Sequence, residues 1–136
     1  MAKESGVGMV IAIDDASGSA RTLSDELSSC DWANPVAMQE VTGVGQSAPQ
    51  RLALLMDFTA TFNGPAFNDA SNNTHAVFKT ISSAAAVART VSITVSGQAL
   101  ADEMFLTDYA FSRAASGELT YTVPASLADG TLTGWA

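Results

Sequence analysis

The chain contains 136 residues, of which 47% are hydrophobic and 15% are charged. This length is typical of one domain, taken here as residues 1–136, and the apolar content argues against an intrinsically disordered chain. Six basic residues against fourteen acidic ones give a formal net charge of −8, which argues against electrostatic binding of nucleic acid or anionic lipid.

The cysteine content and the first residues suggest a reducing compartment. Cys30 is the only cysteine, so no internal disulfide can form. The residues after Met1 lack the apolar core of a signal peptide, and no apolar run approaches the length of a membrane-spanning helix. We therefore expect synthesis in a reducing cytoplasm.

The first half of the chain shows short strand-like segments divided by turn residues, a pattern typical of an all-β fold. Residues 9–14 and 20–23 predict a hairpin joined by a Gly- and Ser-containing turn. Residues 24–35 are polar and rich in turn residues, so they predict a loop with Trp32 as its one large apolar anchor. An extended segment begins again at Met38.

The clearest alternation covers residues 56–63, which predict one continuous strand. Met56, Phe58, Ala60 and Phe62 share one face, and polar side chains share the other. The apolar face is predicted to be core. The polar face is predicted to meet water or a polar surface.

The second half predicts one short helix over about residues 72–86, followed by further strands. Val91, Ile93 and Val95 are predicted to point inward. The remaining predicted strands are residues 103–112, 118–123 and 131–135, with a hairpin turn at 114–117. The spacing of these segments is typical of an all-β sandwich or barrel, and the helix is the only substantial one predicted.

Residue types needed for catalysis are scarce. His75 is the only histidine, and no Gly-rich phosphate loop or nucleophile elbow is present. His75 and Cys30 are interpreted as packing residues, and the acidic pairs Asp14-Asp15 and Asp102-Glu103 as solvated turns. We expect no catalytic residue, no metal site and no cofactor.

The order of several short motifs resembles the major tail tube protein of long-tailed bacteriophages. The resemblance runs from about Gln39 to Trp135. Its motifs are Glu40-Val41-Thr42-Gly43-Val44-Gly45 followed by Arg51, Asp57-Phe58-Thr59-Ala60-Thr61-Phe62-Asn63, Phe67-Asn68-Asp69 with His75-Ala76-Val77-Phe78, Arg89-Thr90-Val91-Ser92, Glu118-Leu119-Thr120-Tyr121, Asp129-Gly130 and Gly134-Trp135. The first 37 residues match less clearly.

The resemblance implies a mainly β fold: a β-sandwich or half-barrel of about seven to eight antiparallel strands with one short flanking helix, about residues 72–86. It also implies a structural, non-catalytic subunit that assembles six to a ring, with rings stacked into a tube for genome ejection. Further copies of the chain are the implied main partner, with the tape measure, tail terminator and tail tip proteins beside them. Double-stranded DNA would pass without specific binding, and no membrane is involved. The implied location is the virion tail, after synthesis in the bacterial host cytoplasm.

Within this reading, strand alternation assigns residues to the channel wall, which should repel phosphates. The predicted lumen-facing residues are Asp57, Thr59, Thr61, Asn63, Glu118, Thr120 and Thr122, with Glu40 and Thr42 added on weaker grounds. The predicted ring-stacking loop comprises Gly45, Gln46, Ser47, Ala48, Pro49, Gln50 and Arg51. Trp32 and Trp135 are predicted near a subunit contact.

Other functions remain open from the sequence. A monomeric β-sandwich binding module, either carbohydrate-binding or a virion decoration domain, is the main alternative, because sparse tryptophans also occur in sugar sites. Tail terminators and neck proteins share the implied fold. Hydrolysis by paired carboxylates is a more distant alternative.

Overall fold

The computed structural model describes Lys3, residues 5–84 and residues 86–135. It contains ten strands, one α-helix and a short 3₁₀ helix at Ser24–Glu26. The strands are β1 (Val10–Asp14), β2 (Ala20–Thr22), β3 (Ser29–Ala33), β4 (Val36–Glu40), β5 (Arg51–Met56), β6 (Thr59–Gly64), β7 (Arg89–Val95), β8 (Gln98–Leu106), β9 (Ala110–Arg113) and β10 (Leu119–Leu127), and the helix is α1 (Thr74–Phe78). The prediction of a mainly β chain with one short helix is confirmed.

Eight strands form one antiparallel sheet in the order β2-β1-β7-β8-β10-β6-β3, and β9 pairs with the first half of β10. The predicted β1–β2 hairpin is present, with Ala12 opposite Thr22. The outer edges of β2 and β3 are unpaired at the two ends of the strand order. Within the described residues, the sheet therefore has free strand edges at β2 and β3, and β9, which pairs only with β10, has one as well.

One face of this sheet carries the core. Ile93 of β7, Phe62 of β6 and Val123 of β10 are each 0% exposed, and α1 adds Val77 and Phe78 to the same cluster. Alternation places these side chains on one side because successive residues of a strand point to opposite faces. Val91 and Ile93 are buried as predicted, and Val95 is half-buried.

The pair β4–β5 is a hairpin that extends the β3–β6 ladder beyond the main sheet. β3 leads into β4 through Asn34 and Pro35, and β5 leads into β6 through Asp57 and Phe58. The Asp57 amide donates to the Pro35 carbonyl oxygen at 2.9 Å, which keeps the two chains joined at the bend. We call residues Val36–Met56 the arm.

The single strand predicted over residues 56–63 is therefore wrong. It divides at Asp57, whose side-chain oxygen accepts a hydrogen bond from the Phe58 amide at 2.8 Å. Such local side-chain bonding competes with a strand ladder. Phe58, Ala60 and Phe62 are buried as predicted, but Met56 lies on the arm and is 56% exposed.

Three other segments differ from the prediction. Residues 24–35 contain the 3₁₀ helix and β3 rather than only a loop, and residues 103–112 divide between β8 and β9. No strand forms over the predicted 131–135 segment. There the Thr133 amide donates to Asp102 Oδ1 at 2.7 Å instead of to a strand partner.

The helix is shorter than the predicted 72–86 because side chains take over its last carbonyl oxygens. Buried Arg89 donates from Nη1 to the Val77 carbonyl oxygen at 2.6 Å, and the Thr80 hydroxyl donates to the same oxygen at 2.9 Å. The chain continues in turns after Phe78. Desolvation lowers the pKa of Arg89 from its ordinary value.

Candidate assembly surfaces

The sheet surface opposite the core, which we call the polar face, carries mostly small and polar side chains, with Val10 of β1 and Phe105 of β8 as larger apolar members. Register and alternation place its hydroxyl groups at Thr22, Ser29, Thr59, Thr61, Thr90, Ser92, Thr94, Ser112, Thr120, Thr122 and Ser126. Its carboxylates are Asp14, Asp31 and Glu103. Among the described strand residues, no lysine or arginine lies on this face, so its charge is entirely negative.

Five of the nine predicted lumen residues lie together on the polar face. They are Thr59, Thr61, Asn63, Thr120 and Thr122, on the neighbouring strands β6 and β10. The Thr122 hydroxyl donates to Asn63 Oδ1 at 2.8 Å, and Asn63 Nδ2 donates to Ser29 Oγ at 2.9 Å. The five residues therefore lie on one surface, and Asn63 and Thr122 are joined there by a side-chain hydrogen bond.

The other four predicted lumen residues lie outside the strands of this face. Asp57 is in the bend between β5 and β6, and Glu118 is in the turn that precedes β10. Glu40 ends β4 of the arm, where it accepts a hydrogen bond from the Thr42 hydroxyl at 3.2 Å. These residues are joined to the polar face only through the connecting segments of chain.

The predicted lumen residues include none of the polar-face carboxylates Asp14, Asp31 and Glu103. Asp14 and Glu103 were predicted in solvated turns, but they lie in β1 and β8. Asp31 alternates with Cys30 and Trp32 along β3, and that period-two pattern was hidden among turn-forming residues. Asp31 stands opposite Thr61 of β6, near the middle of the predicted lumen group. Glu103 stands opposite Thr90 of β7 and accepts its hydroxyl hydrogen bond.

The arm exposes a concentration of large apolar side chains. Its strands pair only with each other, and Leu55 is 87% exposed. The other exposed large apolar residues of the arm are Val36, Met38, Val44, Leu52, Leu54 and Met56. An apolar patch of this kind on a water-exposed projection indicates a surface that another molecule covers.

The predicted stacking loop forms the tip of the arm, except that Arg51 already belongs to β5. Gln46 and Gln50 bond through their side chains at 2.7 Å, and the Gly43 amide donates to Gln46 Oε1 at 2.6 Å. Glu40 and Arg51 stand opposite each other at the base of this tip. The tip therefore holds its own shape and carries one charge of each sign.

The two tryptophans lie together at the free edge of β3. Their ring centroids are 6.5 Å apart and the rings are tilted by 58°, with Trp32 half-buried and Trp135 48% exposed. Rings at this angle do not form a flat platform for stacking against a sugar. The sequence placed both residues near a subunit contact, and the structure places both beside an unpaired strand edge.

The segment after β10 is held by a buried carboxylate. Asp102 is 4% exposed, which corrects its prediction as part of a solvated turn. Oδ1 accepts a hydrogen bond from the Thr133 amide, whereas Oδ2 has no hydrogen-bond partner among the described residues. Desolvation raises the pKa of Asp102 above its ordinary value.

Asp15, in the other acidic pair, does cap a turn, and its hydrogen bonds to Ser17 and Ser19 lower its pKa to about 2.

His75 and Cys30 are packing residues, as predicted. The His75 ring centroid is 4.5 Å from that of Phe67, and its Nδ1 is 3.3 Å from the Tyr109 hydroxyl. Burial raises the pKa of the Cys30 thiol to about 12. In the described residues, no cluster of three potential metal ligands occurs, and no helix has the length and apolarity to cross a membrane.

Comparison with solved structures identifies proteins that share this fold. No protein-family model and no curated protein sequence matches the chain. The chain is similar to a subunit in the tail of an empty gene transfer agent particle with C6 symmetry, with a TM-score of 0.76 at 16% identity, over 97% of this chain and 100% of that one. It is also similar to a chain of a native gene transfer agent virion, with a TM-score of 0.74 at 15% identity and the same coverage. The chain therefore has the phage tail-tube-like fold that the sequence resemblance predicted.

Proposed function

We propose that the chain is a structural, non-catalytic subunit of the tail tube of a phage-like particle. The observation that carries the proposal is the fold, which matches a tail subunit from a six-fold particle along almost its whole length. The unpartnered arm and the unpaired edges of β2 and β3 support it, because self-assembly would cover both.

The proposed assembly is a ring of six copies joined side by side, with rings stacked into a tube. A cyclic ring needs two different surfaces that meet head to tail, and the sheet offers different strands at its two ends. In the ring, Trp32 and Trp135 lie near the contact because they stand at the β3 edge. If each subunit gives about four strands, about 24 strands tilted by about 40° close a barrel roughly 48 Å across, which is wide enough for duplex DNA.

We propose the polar face as the channel wall. Its hydroxyls hydrate the gap, and its carboxylates repel phosphate groups, so DNA slides without binding. The wall then includes Thr59, Thr61, Asn63, Thr120 and Thr122 from the sequence prediction, with Asp31 and Glu103 as the main additions. Asp57, Glu118, Glu40 and Thr42 stay lumen-facing proposals, from the bend, the turn and the arm that adjoin the polar face.

We propose that the arm makes the contact between neighbouring rings, with Gly45–Arg51 at or next to its tip. Burial of its leucines and methionines supplies the apolar contribution to assembly. Tape measure, tail terminator and tail tip proteins would meet the tube interior and its two ends. The completed tube belongs to the virion after assembly in the host cytoplasm.

Concentration-dependent assembly tests the proposal. Sedimentation and negative-stain electron microscopy of the full chain should show monomers at low concentration and rings or tubes with a central channel at high concentration. A compact monomer throughout, including under crowding, would favour the alternative of a monomeric binding module.

The channel wall has its own test. Asp31→Lys puts one cation per subunit on the proposed wall, whereas Asp69→Lys makes the same charge change in an exposed loop away from the sheet. We expect tubes of both variants, but DNA retention and slowed ejection only with Asp31→Lys, and the retention should weaken with salt. Equal DNA behaviour of the two variants would remove the wall assignment.

A further inference from the structure

The strand register divides the exposed apolar side chains of the arm between its two faces. Residues that stand opposite each other on paired strands share a face, and so do alternate residues of one strand. Glu40 stands opposite Arg51, and Met38, two residues earlier in β4, stands opposite Ala53. These four residues define one face of the arm. We call it the methionine face, and its large apolar members are Val36, Met38 and Met56.

The opposite face of the arm carries three leucines. Leu52 follows Arg51 in β5, so its side chain points away from the methionine face. The register then shifts by one residue, and Leu54 and Leu55 together stand opposite Ala37. This bulge keeps both leucines on the side of Leu52 and returns the strand to the methionine face at the next residue. We call the three leucines the leucine face.

Both faces are open in the single chain. Leu52 and Leu54 on one face, and Met38 and Met56 on the other, are each about half exposed, and none of them belongs to the apolar core. A hairpin with one face in water alternates apolar residues with polar ones. Large apolar side chains on both sides therefore indicate that both faces are covered in the functional state.

Charge and backbone favour another copy of the chain as the molecule that covers the arm. Glu40 and Arg51 are the only charged residues among residues 36–56, so the arm has no net charge and the excess of −8 lies in the rest of the chain. The arm can therefore approach an acidic copy with little repulsion. In the described residues, the outer backbone edges of β4 and β5 are unpaired. Hydrocarbon cannot satisfy such groups, which argues against insertion into lipid.

The size of the arm bears on how many copies cover it. Strands of five and six residues form a hairpin about 20 Å long and about 10 Å wide and thick, a volume of about 2,000 Å³. The cavity beside α1, of about 630 Å³, is too small to enclose it. The two faces point in opposite directions, so two separate copies can cover them without a slot in either one.

We infer that the arm is held between two other copies of the chain, one against the leucine face and one against the methionine face. The inference rests on the proposed tube assembly and adds the number of copies that each arm joins. Each arm then connects three subunits, so the loss of either face weakens the whole assembly.

Substitutions on the two faces test whether both are covered. Leu54→Ser and Met38→Ser each remove one large apolar side chain from one face. Each should raise the critical concentration for tube formation about tenfold, because each removes an apolar contact with a different copy. Val7→Ser, an exposed site away from the arm, is the control and should stay within about twofold of the unmodified protein. An arm variant that assembles like the control overturns the inference.

Flotation with phosphatidylcholine vesicles tests lipid as the alternative occupant. The chain should remain with the unbound protein, because the unpaired edges of β4 and β5 oppose insertion. Flotation that Leu54→Ser abolishes would overturn the inference in favour of a lipid surface.

Photo-cross-linking counts the copies at one arm. In a Cys30→Ser background, Met38→Cys and Leu54→Cys are labelled with a benzophenone maleimide, singly or together, and mixed before assembly with a large excess of unmodified chain. After illumination, singly labelled chains should give cross-linked dimers, and doubly labelled chains should also give trimers. Tubes in which doubly labelled chains give only dimers overturn the inference and leave the proposed function intact. The absence of tubes even from the unmodified chain removes both.

Discussion

Gly64→Ala is expected to be one of the most damaging single-methyl changes in the sheet. Gly64 ends β6, is buried, and stands opposite Tyr121 of β10. A Cβ at this position would overlap Cζ, Cε2 and the hydroxyl oxygen of Tyr121. Gly64 does not have a positive φ, so an alanine here would not strain the backbone. The substitution would instead destabilise the fold through a steric clash with the Tyr121 ring.

The size of the destabilisation follows from the contacts that Tyr121 would lose. Its ring lies 5.4 Å from the Tyr109 ring and 5.8 Å from the Phe78 ring, and its hydroxyl donates to the Glu26 carbonyl oxygen at 3.3 Å. Overpacking costs about 1–3 kcal/mol, and the aromatic contacts and hydrogen bond add about 1 kcal/mol each. We expect the free energy of unfolding to fall by about 3–5 kcal/mol.

Urea denaturation of dilute, unassembled protein measures this loss. With a denaturant slope of about 1.5–2 kcal/mol per molar urea, the midpoint should fall by about 2 M. Gly45→Ala is the matched control, because an added Cβ meets nothing within 4 Å there. The control should shift the midpoint by less than about 0.5 M, and upward if at all. A Gly64→Ala midpoint within about 0.5 M of the unmodified protein would refute the packing argument.

Three further predictions concern the arm, the buried carboxylate and the thiol. Leu55→Ser should change the free energy of unfolding of the single chain by less than about 0.5 kcal/mol, because Leu55 is exposed. It should raise the critical concentration of assembly about 30-fold, because the assembly would lose the burial of this leucine. Val7→Ser is the control: Val7 is equally exposed but lies away from the arm, so neither quantity should change in the same assays. Asp102→Asn keeps an oxygen acceptor for the Thr133 amide and removes a buried charge, so denaturation should show equal or higher stability at pH 7. Because the folded-state pKa of Asp102 is raised, its stabilising contribution is complete below the unfolded pKa and declines as pH rises, and the advantage of Asp102→Asn should therefore grow above about pH 4. Asp102→Ala, without the acceptor, should lose about 1–3 kcal/mol, and a similar loss in Asp102→Asn would contradict this. Cys30, with its pKa raised to about 12, should react with alkylating reagents about a thousandfold more slowly in the folded chain than in urea, and equal rates would contradict its burial.

Strands could be predicted from the sequence where apolar and polar residues alternate, because one face of such a strand is buried. Phe58, Ala60 and Phe62 were placed in the core correctly because large apolar residues alternate there with polar ones. β3 was missed since its inward residues, Cys30 and Trp32, sit among aspartates, serines and asparagine that favour turns. Local residue preference therefore failed where pairing with β6 decides the conformation.

The position of Met56, the burial of Asp102 and the role of the polar face could not be predicted from local sequence. Met56 continues the apolar alternation of β6, so nothing local separates it from the core residues, although a bend at Asp57 carries it onto the arm. Asp102 is buried by a segment that arrives 31 residues later, which no local pattern reports. Which face of the sheet lines the proposed channel would depend on the neighbouring copies in the assembly, so burial within one chain cannot determine it.

Helical reconstruction of assembled tubes by electron cryomicroscopy tests the central claim most directly. The account predicts six subunits per ring, with Asp31 and the threonines of β6 and β10 facing an open channel and the arm buried against a neighbouring copy. A tube with the polar face on its outer surface, or a channel wall lined by lysine and arginine, would contradict the proposed role in genome passage.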